Sequence, residues 1–133
     1  MTGTDRVAEA SKKIRSKIFI NVQGDEPTIN PIDIKKVIDT KKKFPNHVIC
    51  GYDEVHDLEN PSSINLPKVV VNSKSELIYI SRALVPGKKK ESQKIQYYKQ
   101  VCIYAFNKKQ LKKFYSMKKK SDTESIEDIE ILR

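Results

Sequence analysis

The chain has 133 residues, 38% of them hydrophobic, with 26 Lys and Arg against 17 Asp and Glu and a formal net charge of +9. With a mean hydropathy of −0.59, this is a polar globular chain long enough to bury a working core as one domain. No apolar run approaches the roughly 18 to 20 residues of a membrane span, and residues 1–6 lack the apolar stretch of a secretory leader, so the reading is cytoplasmic.

Residues 2–16 read as a helix, because Val7, Ala10 and Ile14 recur at helical spacing and Thr2 with Asp5 matches a capping box. Residues 17–22 read as a buried strand. It stops at Gln23-Gly24-Asp25-Glu26-Pro27, a glycine turn carrying two adjacent carboxylates. Pro31 suits a first helical turn, and Ile34, Val37 and Ile38 mark an amphipathic helix to Lys43, ended by Pro45-Asn46.

Residues 48–55 read as a second strand and 57–65 as a polar loop. Residues 68–72 and 76–81 are short strands that Ser73-Lys74-Ser75 joins into a hairpin. A loop around Pro86-Gly87 leads to a long apolar strand over 97–106, then a helix over 107–117. A last helix is predicted over 123–133, with Ile126, Ile129 and Leu132 on one face. Helices alternating with strands predict an α/β fold with a mainly parallel sheet, and the hairpin adds a mixed region.

The positive balance is a weak nucleic-acid signal. Arginine, favoured for bidentate phosphate and base contacts, occurs only at Arg6, Arg15, Arg82 and Arg133. The lysines stand in runs (41–43, 88–90 and 118–120) at predicted element ends and loops, where a solvated surface is expected. Cys50 and Cys102 form no Cys-x-x-Cys and read as buried reduced thiols. Asp53, Glu54 and Asp57 read as a solvated strand end, and His47 and His56 as surface residues.

In open α/β sheets, ligands gather beyond the carboxyl ends of the strands. The acidic turn after Val22 is therefore where a divalent metal and a phosphate are expected; taken alone, Gly24-Asp25-Glu26-Pro27 also reads as a plain turn. Only Gly3, Gly24, Gly51 and Gly87 are present, so there is no glycine-rich phosphate loop. For a nucleotide enzyme this points to a fragment.

Asn21-Val22-Gln23-Gly24-Asp25-Glu26-Pro27 resembles the signature of the cytidylyltransferases that activate 3-deoxy-D-manno-octulosonate (Kdo) as its CMP-sugar. Further blocks are similar to that family in the same order. These are Gly3-Thr4-Asp5-Arg6, Asn65-Leu66-Pro67-Lys68-Val69-Val70, Tyr79-Ile80-Ser81-Arg82-Ala83 with Pro86, Ile103-Tyr104-Ala105-Phe106, and the Ile-Glu-x-x-Glu-x-x-Arg run from Ile126 to Arg133.

The resemblance implies a nucleotide-diphospho-sugar transferase fold, a three-layer α/β/α sandwich, with residues 1–133 as the central portion of a single domain. It also implies that CTP and Kdo, or a related sugar acid, give CMP-sugar and pyrophosphate with Mg²⁺, for lipopolysaccharide or surface polysaccharide synthesis. Asp25 is then the metal carboxylate, and Arg6 and Gln23 join it in the catalytic set. Arg82 grips the sugar carboxylate, while Gln100, Tyr104, Glu127 and Glu130 contact the sugar. Glu127 and Glu130 are expected on one helix face. A homodimer is implied for the complete protein.

The chain departs from the family at Lys99-Gln100, where an Arg-His pair is usual, and at Gly87, where an aromatic residue is common. An amino-substituted Kdo is compatible with both. The family's N-terminal phosphate loop would precede Met1 and its C-terminal acidic segment would follow Arg133, so no activity is expected from these residues alone. A noncatalytic binding or regulatory half-domain is the alternative.

Overall fold

The computed structural model describes residues 1–24 and 28–133. The chain divides into two compact units, Met1–Gly51 with Cys102–Arg133, and Tyr52–Val101.

The first unit opens with helix α1 (Gly3–Ser11), capped as predicted: the Thr2 hydroxyl accepts from the Asp5 N–H at 3.3 Å and the Asp5 carboxylate accepts from the Thr2 N–H at 2.8 Å. Its buried face is Thr4, Ala8 and Ser11, whereas Ala10 is exposed and Ile14, beyond the helix, is 51% exposed. The reason is local. Ser11 Oγ donates to Ala8 O at 2.7 Å and Thr4 Oγ1 accepts from Asn21 Nδ2 at 3.1 Å, so a partly polar face can be buried with its hydrogen bonds made.

Strand β1 (Phe19–Val22) follows, then helix α2 (Pro31–Lys43), whose N-cap Asn30 accepts from the Ile32 N–H at 2.9 Å. β2 (Ile49–Glu54) pairs with β5 (Tyr98–Phe106). β1 runs antiparallel to the end of β5, in the register Phe19↔Phe106 and Asn21↔Tyr104. This puts Phe19, Asn21, Tyr104 and Phe106 on one face, and α1 packs on β1 and on helix α3 (Lys108–Ser116). The core is Ala8, Phe19, Tyr104, Phe106 and Leu111, with Val7, Cys50, Tyr115 and Ile131 against it. Full burial of a side chain such as Phe106 or Leu111 stabilises by about 1.5–3 kcal/mol.

The lysine run at 41–43 is not all surface. Lys41 is 1% exposed, and its Nζ donates to Pro45 O, His47 O and Gln110 Oε1. Those contacts tie the end of α2 to the start of α3, where Asn107 and Gln110 form a capping box.

The predicted helix over 123–133 is broken. Helix α4 (Asp122–Glu127) stops at Asp128, which takes the left-handed conformation (φ 49°, ψ 48°), and a 3₁₀ turn covers Glu130–Leu132. Ile129 is buried while Ile126 is 81% exposed, so the expected apolar stripe does not form. Glu127 and Glu130 accordingly belong to different elements and share no helix face.

In the second unit, β3 (Lys68–Val71) and β4 (Leu77–Ser81) form the predicted hairpin, with an irregularity between Val70 and Val71. Asn72 shapes the turn: its Oδ1 accepts from the Lys74 and Glu76 N–H groups at 2.9 and 3.0 Å. β3 also pairs with the start of β5, in the register Lys68↔Lys99.

The α/β class holds, but each of the pairings β1–β5, β3–β4 and β3–β5 is antiparallel, against the mainly parallel expectation. Alternation implies parallel pairing only when a strand lies beside the next one through a helical crossover. Here β1 instead finds β5, far along the chain and running the other way.

Candidate functional site

The start of α1 and Gln23 are anchored from an unexpected direction. Glu130, in the 3₁₀ turn, accepts from the Gly3 N–H at 3.0 Å and the Thr4 N–H at 2.9 Å, the first donors of α1. These N–H groups have no partner inside their own helix, and a carboxylate there also meets the positive end of the helix dipole. The same carboxylate accepts from Gln23 Nε2 at 2.9 Å. The Gln23 N–H in turn donates to Cys102 O at 3.0 Å, continuing the pairing of β1 with β5. Asn21, one step behind on the buried face, holds Thr4.

A second set of contacts fixes the same helix start. Arg133 donates to Glu124 through Nε and one terminal nitrogen, both at 2.6 Å, and to Asp5 Oδ1 at 2.9 Å through the other. Its guanidinium lies 4.1 Å from the Phe114 ring centroid. The side chains of Arg133, Glu124 and Asp5 are 5%, 1% and 14% exposed, so the bidentate pair is dry and strong. Burial alone would push the Asp5 carboxyl up, yet hydrogen bonds from the Thr2 backbone and from Arg133 prevail and hold it below its usual value. Arg133 is held above its ordinary value, first by the Glu124 hydrogen bond.

Of the residues singled out in the sequence, Gln23 and Glu130 are therefore in contact. Arg6 is exposed on α1 and lies 3.8 Å from Glu9. Tyr104 is 2% exposed within the core. Glu127 is half-buried at the end of α4. Asp25 lies outside the described residues, and among the described residues no group of three or more His, Cys, Asp or Glu is arranged to hold a metal.

Arg82 and Gln100 belong to the second unit. Lys68 pairs with Ser81 on one side and Lys99 on the other, so Arg82 and Gln100 flank Pro67 from opposite sides. The Gln100 N–H donates to Pro67 O at 2.9 Å, and Arg82 donates to Ile64 O at 2.9 Å. Beneath them Lys68 is fully buried, its Nζ donating to Arg82 O at 2.6 Å and Ser63 O at 2.8 Å.

Sequence reading missed Thr4, Asn21, Lys68 and Glu124 as supporting residues. A signal existed for one of them: a glutamate in an otherwise surface-like helix needs a cation if it is buried, and the terminal Arg133 supplies it.

A family model described as "Cytidylyltransferase" matches residues 1–133. The chain belongs to this cytidylyltransferase family. Among similar proteins, the 3-deoxy-manno-octulosonate cytidylyltransferase of Flavobacterium johnsoniae is 35% identical over 99% of this chain and 55% of its own length. The protein of that name from Escherichia coli is 34% identical over 99% of this chain and 53% of its own. A solved structure of CMP:2-keto-3-deoxy-manno-octonic acid synthetase complexed with CTP matches with a TM-score of 0.87 and 33% identity, covering 98% of this chain and 54% of that one. The chain thus spans about half the length of the cytidylyltransferases it matches.

Proposed function

We propose that this chain supplies the sugar side and one metal carboxylate of a cytidylyltransferase that joins CTP to Kdo or a related 3-deoxy sugar acid, for lipopolysaccharide or surface polysaccharide synthesis. The anomeric hydroxyl oxygen of the sugar bonds to the α-phosphorus of CTP, the bond from that phosphorus to the pyrophosphate oxygen breaks, and the hydroxyl proton is lost to water. Negative charge gathers on phosphate oxygens, so the protein contributes mainly position and positive charge.

The observation that carries this reading is the Gln23–Glu130 contact at the start of α1, immediately before the acidic turn. Gln23 is fixed by both its backbone and its side chain, as a group that orients a sugar hydroxyl must be. In this proposal Glu130 and Glu127 accept from sugar hydroxyls, Arg82 grips the sugar carboxylate, and Gln100 hydrogen-bonds beside it. Tyr104 backs the sugar from the core, and Arg6 turns from Glu9 to a phosphate.

Asp25 would hold a Mg²⁺ ion, which takes one or two carboxylates and completes its shell with water and substrate phosphates. That chemistry fits an isolated acidic turn, since it needs no cluster of protein ligands; the ion neutralises charge on the phosphates when bound. A cytoplasmic location and a homodimer complete the proposal. Among the described residues no helix is long and apolar enough to cross a membrane.

The test is sugar-acid-dependent release of pyrophosphate from CTP with Mg²⁺, using protein expressed from its whole open reading frame. Release only when CTP and Kdo are both present supports the reading. Release that ignores the sugar acid, or none with any 3-deoxy sugar acid, overturns it.

A further inference from the structure

The first unit carries a cavity of about 510 Å³ that the reaction above does not use, walled by Ser16, Lys17 and Ile18 before β1, Lys41, Lys42, Pro45 and Asn46 at the end of α2, and Asn107, Lys108 and Lys109 at the start of α3. Ser16–Ile18 precede β1 and Gln23 follows it. At about 3.3 Å per residue, the five steps from Ile18 to Gln23 span roughly 16 Å. The cavity therefore lies away from the Gln23–Glu130 contact.

Its lining is one-signed: lysines from three separate stretches of chain meet there, and no Asp or Glu lines it. Lys42 is paired with Asp39 at 3.2 Å on the exposed side of α2. Lys17, Lys108 and Lys109 are exposed, and none of them is ion-paired among the described residues. Behind them Lys41 adds a buried charge whose hydrogen bonds go to Pro45 O, His47 O and Gln110 Oε1, all neutral acceptors. Like charges brought to one concave surface repel, and a dianion placed among them converts that repulsion into attraction. The volume falls in the range of small-molecule sites.

We propose that this lysine-lined cavity binds the phosphoryl group of a small anion, held by Lys17, Lys108 and Lys109 with Lys42 at its rim. A small phosphorylated molecule fits better than a nucleic acid, because the cationic surface is a short open concavity without arginine or aromatic residues on its wall. The site is independent of the cytidylyl transfer proposed above.

Inorganic pyrophosphate, without divalent metal and at constant ionic strength, is titrated into the ¹⁵N-labelled chain. The expected result is saturable one-site binding with amide shifts confined to residues 16–18, 41–42, 46 and 107–109. The variant Lys17→Gln/Lys108→Gln/Lys109→Gln, which changes only exposed side chains, weakens binding about tenfold or more. Lys88→Gln/Lys89→Gln/Lys90→Gln removes the same charge elsewhere and leaves the affinity within about twofold. Unsaturable shifts, equal weakening by both variants, or shifts confined to Gln23 and Gly24 would overturn the proposal. So would a single-stranded oligonucleotide that binds more tightly than pyrophosphate. A retained melting transition in the variants separates loss of binding from loss of fold.

Discussion

Glu130 Oε1 stands 2.9 Å from Gln23 Nε2 while the same carboxylate takes the first two N–H groups of α1. One side chain near the end of the chain thus fixes both the start of the first helix and the residue that leads into the acidic turn. Gln23 is held by a residue 107 positions away along the chain.

Replacing Glu130 with Ala leaves the Gly3 and Thr4 N–H groups and the Gln23 amide without their acceptor. The expected loss is about 1–3 kcal/mol, read as a lower urea midpoint. A cycle with Gln23→Ala should show a coupling of about 0.5–1.5 kcal/mol. Additive single effects would mean that the 2.9 Å contact carries no energy of its own.

Arg133→Ala should be more damaging, because Glu124 is fully buried and would lose its bidentate cation partner. Breaking such a pair costs about 3–5 kcal/mol, and thermal melting should register it. Replacing both partners, Arg133→Met with Glu124→Leu, should recover most of the loss. A double variant as unstable as Arg133→Ala would assign the effect to packing on Phe114 instead.

Asp5 gives the stability a specific acid limb. Its carboxyl is lowered from 3.8 in the folded chain, so the unfolded state binds the proton more readily. The contribution is complete above 3.8 and disappears as pH falls through the lower folded value. Asp5→Asn should therefore reduce stability at neutral pH and flatten the decline below pH 3.8. Chemical unfolding from neutral to acid pH measures both.

Cys50 should be inert. Burial, aided by the nearby Cys102, pushes its thiol from 9.0 up to about 12. The thiolate fraction at neutral pH then falls about a thousandfold. A disulfide reagent should label half-buried Cys50 about a thousandfold more slowly than an exposed thiol, and fast labelling in the native state would contradict the raised thiol.

The legible parts of the sequence were those where local chemistry and fold agree. Pro31 opens α2 and the helix ends at Lys43, as predicted, and Thr2 with Asp5 cap α1. The misreadings arose where one residue or one distant partner decides. Ile126, Ile129 and Leu132 have helical spacing, but Asp128 enters the left-handed region that Asp tolerates better than most residues, and the face is lost. Strand direction depends on which distant strand β1 meets, and no local signal in Phe19–Val22 names β5. Gln23 and Glu130 were each singled out by resemblance, while their contact is a product of the folded chain.

The most direct measurement is steady-state cytidylyl transfer by the protein from its whole reading frame, comparing wild type with Gln23→Ala and Glu130→Gln. If these residues orient the sugar acid, both variants lose about 10²-fold or more in kcat/KM for Kdo, with the KM for CTP little changed and the fold retained by circular dichroism. Wild-type kinetics in either variant, or a loss confined to CTP, would contradict the placement of the sugar at the Gln23–Glu130 contact.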